Sequence, residues 1–285
     1  MHPHLPFSVG EILWTLTFAA QLVLLVVLLG RERVRRFPWF TASIVTVALH
    51  LLLTRVLNDK LPRLTLASIV LPLDTIGAVI GLGVLVELAR KAFGGTKRWV
   101  WITGAIVMLA VGGVVLRYWG VWPPLKTMTL DSGIAVLRLL QLITQKGEVL
   151  TSVLTIQLCL LAVLFGRSRG AGWRSHTQRI LVGLSTAALA QLSVQVIIQL
   201  LATHVVPKTR PEYEHLLDLA DRIANADKAI YFMVLLWWIA CLWKDDPGAA
   251  VATLANAGSP KIETAEDTAD ASEIAAEADQ SAENG

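Results

Sequence analysis

The 285 residues are 54% hydrophobic and only 16% charged, against roughly a quarter charged in an ordinary soluble domain. The apolar excess is gathered into runs rather than spread evenly, which excludes a conventional soluble globular protein. The net charge of +3 hides a division, since residues 1–244 are strongly basic whereas residues 245–285 carry one Lys against ten Asp and Glu.

A helix needs about 20 apolar residues to cross about 30 Å of hydrocarbon. The first run meeting that length is 12–29, stopped by Arg31, Arg33, Arg35 and Arg36. The second covers 37–57, the third 66–88 and the fourth 99–116. A fifth follows at 147–165 and a sixth at 180–202. The last apolar run, Ala229 to Trp243, is short and must borrow upstream residues, giving a seventh span at 226–243. The expectation is an all-α, polytopic bundle of seven transmembrane helices occupying 1–244. The tail, 245–285, lacks aromatic residues and is too acidic and polar to bury a core, so it is expected to be disordered.

Arginine and lysine set the direction. The first, third and fifth loops each hold four: Arg31, Arg33, Arg35, Arg36; Arg90, Lys91, Lys97, Arg98; and Arg167, Arg169, Arg174, Arg179. The first ten residues hold none. Dense positive charge marks the cytoplasmic side, so the amino terminus is expected outside and the carboxyl terminus and acidic tail inside, in a plasma (inner) membrane. Trp39, Trp99, Trp101, Trp173 and Trp243 then fall near the inner boundary and Trp14, Trp119 and Trp122 near the outer one, where indole rings prefer to sit. A nucleic-acid role for the basic body is excluded, because its arginines lie in short clusters between apolar runs. The start lacks the positive region and cleavage site of a secretory signal. On the outer side, Pro211 is placed to open a helix running into the last span, and Asp131 or Ser132 to cap one leading towards the fifth, interrupted at Gly147.

Ionisable and amide groups inside the spans are the informative positions, because hydrocarbon penalises them. Asp74 lies about two turns into the third span, with Gly77 and Gly81 on the same face permitting close helix approach. His50 lies in the second span, and the opposed directions of the two spans bring it to the depth of Asp74. The sixth span carries Gln191, Gln195 and Gln199 at four-residue spacing, and the fifth a stripe of Glu148, Ser152, Thr155 and Cys159. Each set reads either as polar glue between helices or as the lining of an outward-opening cleft that binds a ligand or ion.

Several chemistries are missing. A bis-histidine haem needs paired intramembrane histidines, and only His50 is deep enough. Retinal needs a lysine within the last span, whereas Lys228 lies at its edge. No H-E-x-x-H, G-x-S-x-G, phosphate-binding loop or zinc-type Cys/His spacing is present. Cys159 and Cys241 read as small buried hydrophobes, and His2, His4, His204 and His215 as scattered outer-side residues. No catalytic residue, metal or cofactor is therefore expected.

The segment Arg35-Arg36-Phe37-Pro38-Trp39-Phe40-Thr41 opening the second span, and Leu85-Val86-Glu87-Leu88-Ala89-Arg90 closing the third, resemble small bacterial seven-helix inner-membrane proteins and seven-helix sensor modules. Those pieces cover under a tenth of the chain. The resemblance implies a non-enzymatic protein of sensor or accessory type, whose partners are the lipid bilayer and a separate cytoplasmic or membrane protein, since no output domain follows the seventh span. The alternative is a small transporter or channel using Asp74, His50 and the glutamine face.

Overall fold

The computed structural model describes residues 8–58, 60–93, 98–120, 122, 133–166, 175–204 and 209–244. The chain divides into two units, Met1–Asp246 and Pro247–Gly285, and the described residues all belong to the first. The acidic tail, Lys97, Arg167, Arg169, Trp173, Arg174, the Asp131/Ser132 cap, His2 and His4 lie outside the described residues.

Among the described residues the structure is helical throughout, in eight helices: α1 Val9–Gly30, α2 Arg33–Arg36, α3 Pro38–Asn58, α4 Arg63–Phe93, α5 Arg98–Tyr118, α6 Gly133–Gly166, α7 His176–His204 and α8 Arg210–Trp243. Six of them, α1, α3, α4, α6, α7 and α8, are long and apolar enough to cross a membrane. The fourth expected span is present as α5, but its described apolar part, Ile102–Tyr118, is shorter than those six. The chain is thus a multi-pass helical membrane protein.

Two expectations change. Gly147 does not interrupt the helix: α6 runs unbroken for 34 residues, and at Gly147 it passes close to α4, where the Ala78 Cβ lies 3.4 Å from where a Gly147 Cβ would be. The linker after α1 is also more ordered than a loop, since Glu32 takes a left-handed conformation (φ 51°) and starts the short helix α2.

The helices α1, α3, α4, α6, α7 and α8 form a closed ring in that order, α4 and α7 also touch behind α6, and α5 packs on the outside of α6. α4 and α6 run in the same direction as neighbours. Thr75 meets Thr144 at 3.1 Å, Ala78 meets Gly147, and Gly81 meets Thr151. Small side chains at this three-to-four-residue spacing let two membrane helices approach closely, where dispersion and short hydrogen bonds replace the hydrophobic drive that lipid cannot supply. Gly77 instead faces Thr46 of α3, so the two glycines read together on one face serve different neighbours.

The packing is asymmetric along the bundle axis. The buried apolar cluster takes Leu24 and Leu28 from α1, Phe40 and Ile44 from α3, Leu88 from α4, Leu158 from α6, Leu181 from α7 and Leu235, Trp238 and Leu242 from α8. Every one of these lies towards the basic end, where α1, α4, α6 and α8 finish and α3 and α7 begin. Phe40 and Trp238 meet edge-to-face at 5.1 Å, a geometry favourable by about 0.5–1.5 kcal/mol beyond the area it buries. Towards the opposite end no described residue of α4 before Val84, of α7 after Ala188 or of α8 before Val234 is buried.

Glu87 ties the dry end together. Its carboxylate accepts from the Phe40 backbone N–H at 3.1 Å and from Lys91 Nζ at 3.2 Å. Phe40 is in the first turn of α3, where N–H groups lack helical partners, so Glu87 on α4 caps a neighbouring helix. Lys91 Nζ also lies 3.8 Å above the centre of the buried Phe37 ring. The two short segments singled out for their resemblance are therefore in direct contact.

Two substitutions test this packing by thermal unfolding in detergent. A Cβ at Gly183 would overlap the indole of Trp238, so Gly183→Val is expected to destabilise by about 1–3 kcal/mol. Gly113 has open space around it, so Gly113→Ala is expected to leave the melting temperature unchanged or slightly raised.

Candidate functional site

The less buried half of the bundle, away from the apolar cluster, holds the polar residues. His50 on α3 faces α4, and its Nδ1 donates to Asp74 Oδ1 at 2.6 Å. Both side chains are partly buried, with relative exposures of 31% and 22%. A single charge near the bilayer centre costs roughly 2.5–3.5 kcal/mol on insertion scales; a protonated imidazole against a carboxylate offsets most of that by cancelling the net charge.

Glu148 on α6 forms the third member. It lies close enough to interact electrostatically with both Asp74 and His50. Its Oε2 accepts from Gln191 Nε2 on α7 at 3.4 Å, and Gln191 Oε1 in turn accepts from Ser152 Oγ on α6 at 3.3 Å. A chain of donors therefore runs from Ser152 through Gln191 to Glu148. Two carboxyl groups and one imidazole therefore share this region. Such a cluster can take up a proton or hold a small cationic or hydrogen-bond-donating ligand.

Of the residues singled out from the sequence, Asp74, His50, Glu148 and Gln191 come together, with Ser152 beside them. Gln195 and Gln199 do not join: among the described residues no hydrogen bond engages either side chain, Gln195 is half-buried and Gln199 exposed. The four-residue spacing drifts around the helix by about 40° per step, and by Gln199 it has left the interior. Pro72, two residues before Asp74, lies inside α4 and cannot donate to the Ser68 carbonyl, so this end of α4 is held by one fewer backbone bond.

Sequence reasoning missed two polar contacts at similar depth. Thr75 and Thr144 bond across α4 and α6, and Gln21 Nε2 donates to Tyr231 Oη at 3.3 Å between α1 and α8. Gln21 was visible as a lone amide in an otherwise apolar span, but its partner lies 210 positions away. Aromatic rings brace both ends: Arg55 lies over Trp14, Lys146 over Trp122 and Arg31 over Trp243. Lys146 also donates to the Trp119 carbonyl just beyond the end of α5.

No protein-family model, curated protein or solved structure matches the chain.

The His50–Asp74 contact predicts energetic coupling. In a double-mutant cycle of His50→Gln and Asp74→Asn, unfolding in detergent is expected to return a coupling of about 0.5–3 kcal/mol. Gln195→Leu is expected to change stability by less than about 0.5 kcal/mol.

Proposed function

We propose that this chain is a non-enzymatic, seven-span protein of sensor or accessory type in a bacterial plasma membrane. Its amino terminus is outside, its carboxyl terminus inside, and a polar cleft opens outward to receive a small ligand at Asp74, His50, Glu148 and Gln191. α5 supplies the seventh span. It begins at Arg98 and ends at Tyr118, and an odd number of crossings puts the two termini on opposite sides. The concentration of arginines around α2 and of Arg90, Lys91 and Lys244 at one end favours that end as cytoplasmic.

The observation that carries the cleft is the asymmetry of burial. All of the apolar cluster packs towards the basic end, while polar side chains from α1, α3, α4, α6, α7 and α8 occupy the other half. An interior that is polar and less buried at one end and dry at the other suits reception from one side. Transport needs a second opening through Leu24, Phe40, Leu158 and Trp238, and in their present packing these close that route. Signal passage to a partner would run through the basic end, where α2, α3, α4 and α8 are locked together around Glu87 and Arg33, whose Nη2 donates to the Lys244 carbonyl.

Single cysteines in a chain lacking Cys159 and Cys241 test this. Gln191→Cys is expected to react with a membrane-impermeant maleimide added from the amino-terminal side only, and Leu158→Cys from neither side. Reaction of Gln191→Cys from both sides would move the reading to the transporter or channel, and reaction from neither would remove the cleft. Reporter fusions within 94–97 and 123–132 are expected in opposite compartments if α5 crosses.

A further inference from the structure

The polar cluster has bonding capacity to spare, and all of it is of one kind. His50 Nδ1 donates to Asp74 Oδ1, and Glu148 Oε2 accepts from Gln191 at 3.4 Å, which is long for such a bond. Among the described residues no hydrogen bond or ion pair engages His50 Nε2, Asp74 Oδ2 or Glu148 Oε1. With the imidazole hydrogen on Nδ1, Nε2 is an acceptor, as both carboxylate oxygens are. Three lone-pair atoms from three helices are thus open.

The charged groups around them are few. No Lys or Arg among the described residues pairs with Asp74 or Glu148. On α1, which packs against α3, the ionisable side chain is Glu11, and Arg55 of α3 engages it. α7 packs against α4 and α6 and has no ionisable side chain between Arg179 and His204. On α4 the other described acids and bases, Glu87, Arg90 and Lys91, stand at the basic end. Within α6, Lys146 is turned to the Trp119 carbonyl and Arg138 is exposed. α5 ends at Arg117 and Tyr118, both exposed. The imidazole is therefore the basic group that faces both carboxyls.

A metal ion needs several ligands around one point, and no three His, Cys, Asp or Glu side chains among the described residues are so grouped. A proton needs a single lone pair and parts no side chains, which matters where Nδ1 and Oδ1 already touch at 2.6 Å. Imidazole is the side chain whose ordinary titration falls in the physiological range. Interacting ionisable groups take up protons as a set rather than singly.

We infer that the small ligand received by the cleft is the proton, bound by His50, Asp74 and Glu148 as one coupled set, which makes the chain a sensor of acidity on its amino-terminal side. The inference rests on the proposed cleft for access. Proton uptake acts on the His50–Asp74 contact between α3 and α4 and, through Glu148, on the Gln191 contact between α6 and α7. One binding event thereby reaches two helix pairs of the ring.

Nitrogen NMR of the histidine-labelled full chain in lipid nanodiscs tests it, with the His50 signal identified by its loss in His50→Gln. Between about pH 4 and pH 8, His50 is expected to pass from the protonated to the neutral imidazole. Glu148→Gln keeps the shape of the side chain and leaves the His50–Asp74 contact in place; it is expected to weaken proton binding at His50 about threefold or more. Asp74→Asn is expected to weaken it about tenfold or more, which keeps the test decisive if Glu148→Gln does not fold. A His50 that holds one protonation state throughout, or whose midpoint is unmoved by the removal of either carboxylate, would overturn the proposal. Maleimide labelling of Gln191→Cys at constant pH reads the cleft separately. Labelling alongside an unresponsive His50 rejects the proton and keeps the cleft, whereas no labelling from either side removes the cleft and this inference with it.

Discussion

The Glu87 carboxylate is the contact on which the dry end of the bundle depends. Buried charge is stable only when its lone pairs are met, and Glu87 meets them with the Phe40 N–H and the Lys91 ammonium. Capping fixes where α3 begins and at what angle it leaves α4. That places Phe40 against Trp238, and Trp238 fills the space that Gly183 leaves on α7. One acid thereby aligns four helices, α3, α4, α7 and α8, at a common height, and the leucines of α1 and α6 close around them. Removal of the carboxylate would leave a buried N–H and a displaced cation, a larger perturbation than loss of any single leucine contact.

The other half of the ring is built on a different rule. Hydrocarbon gives no reason for apolar side chains to seek one another, so close approach there comes from small residues and hydrogen bonds. The α4–α6 contact shows this at Thr75–Thr144, Ala78–Gly147 and Gly81–Thr151. Its consequence is that α4 and α6 become parallel neighbours and α5, which joins them in sequence, is displaced to the outside. The polar cluster follows directly: with α5 excluded from the interior, Asp74 on α4 and Glu148 on α6 reach the same region as His50 and Gln191.

The apolar runs have the length that a bilayer requires, and the helices follow them closely at α1 and α3, whereas α8 starts at Arg210, well before the run at 226–243. The meeting of His50 and Asp74 was legible for a related reason: two antiparallel spans of known direction fix relative depth. Neighbour choice was not legible. Nothing in the residues of α5 says that it lies outside the ring, and a face such as Gly77–Gly81 does not name the helices it will meet. The glutamine row was overread, because equal spacing suggested equal roles whereas helical drift carries Gln199 to the surface. Glu87 stood in view only within a segment chosen for resemblance, since a carboxylate near a cluster of Arg and Lys looks like an ordinary loop charge until the N–H it caps is located.

Arg55 on α3 pairs with Glu11 and lies over Trp14 of α1, so His50, five residues nearer the basic end, is level with about residue 17 of α1 by helical rise. The Gln21–Tyr231 contact and the His50–Asp74 pair therefore lie at nearby depths on different sides of the bundle, and both stand beyond the apolar cluster whose α3–α4 contact Glu87 fixes.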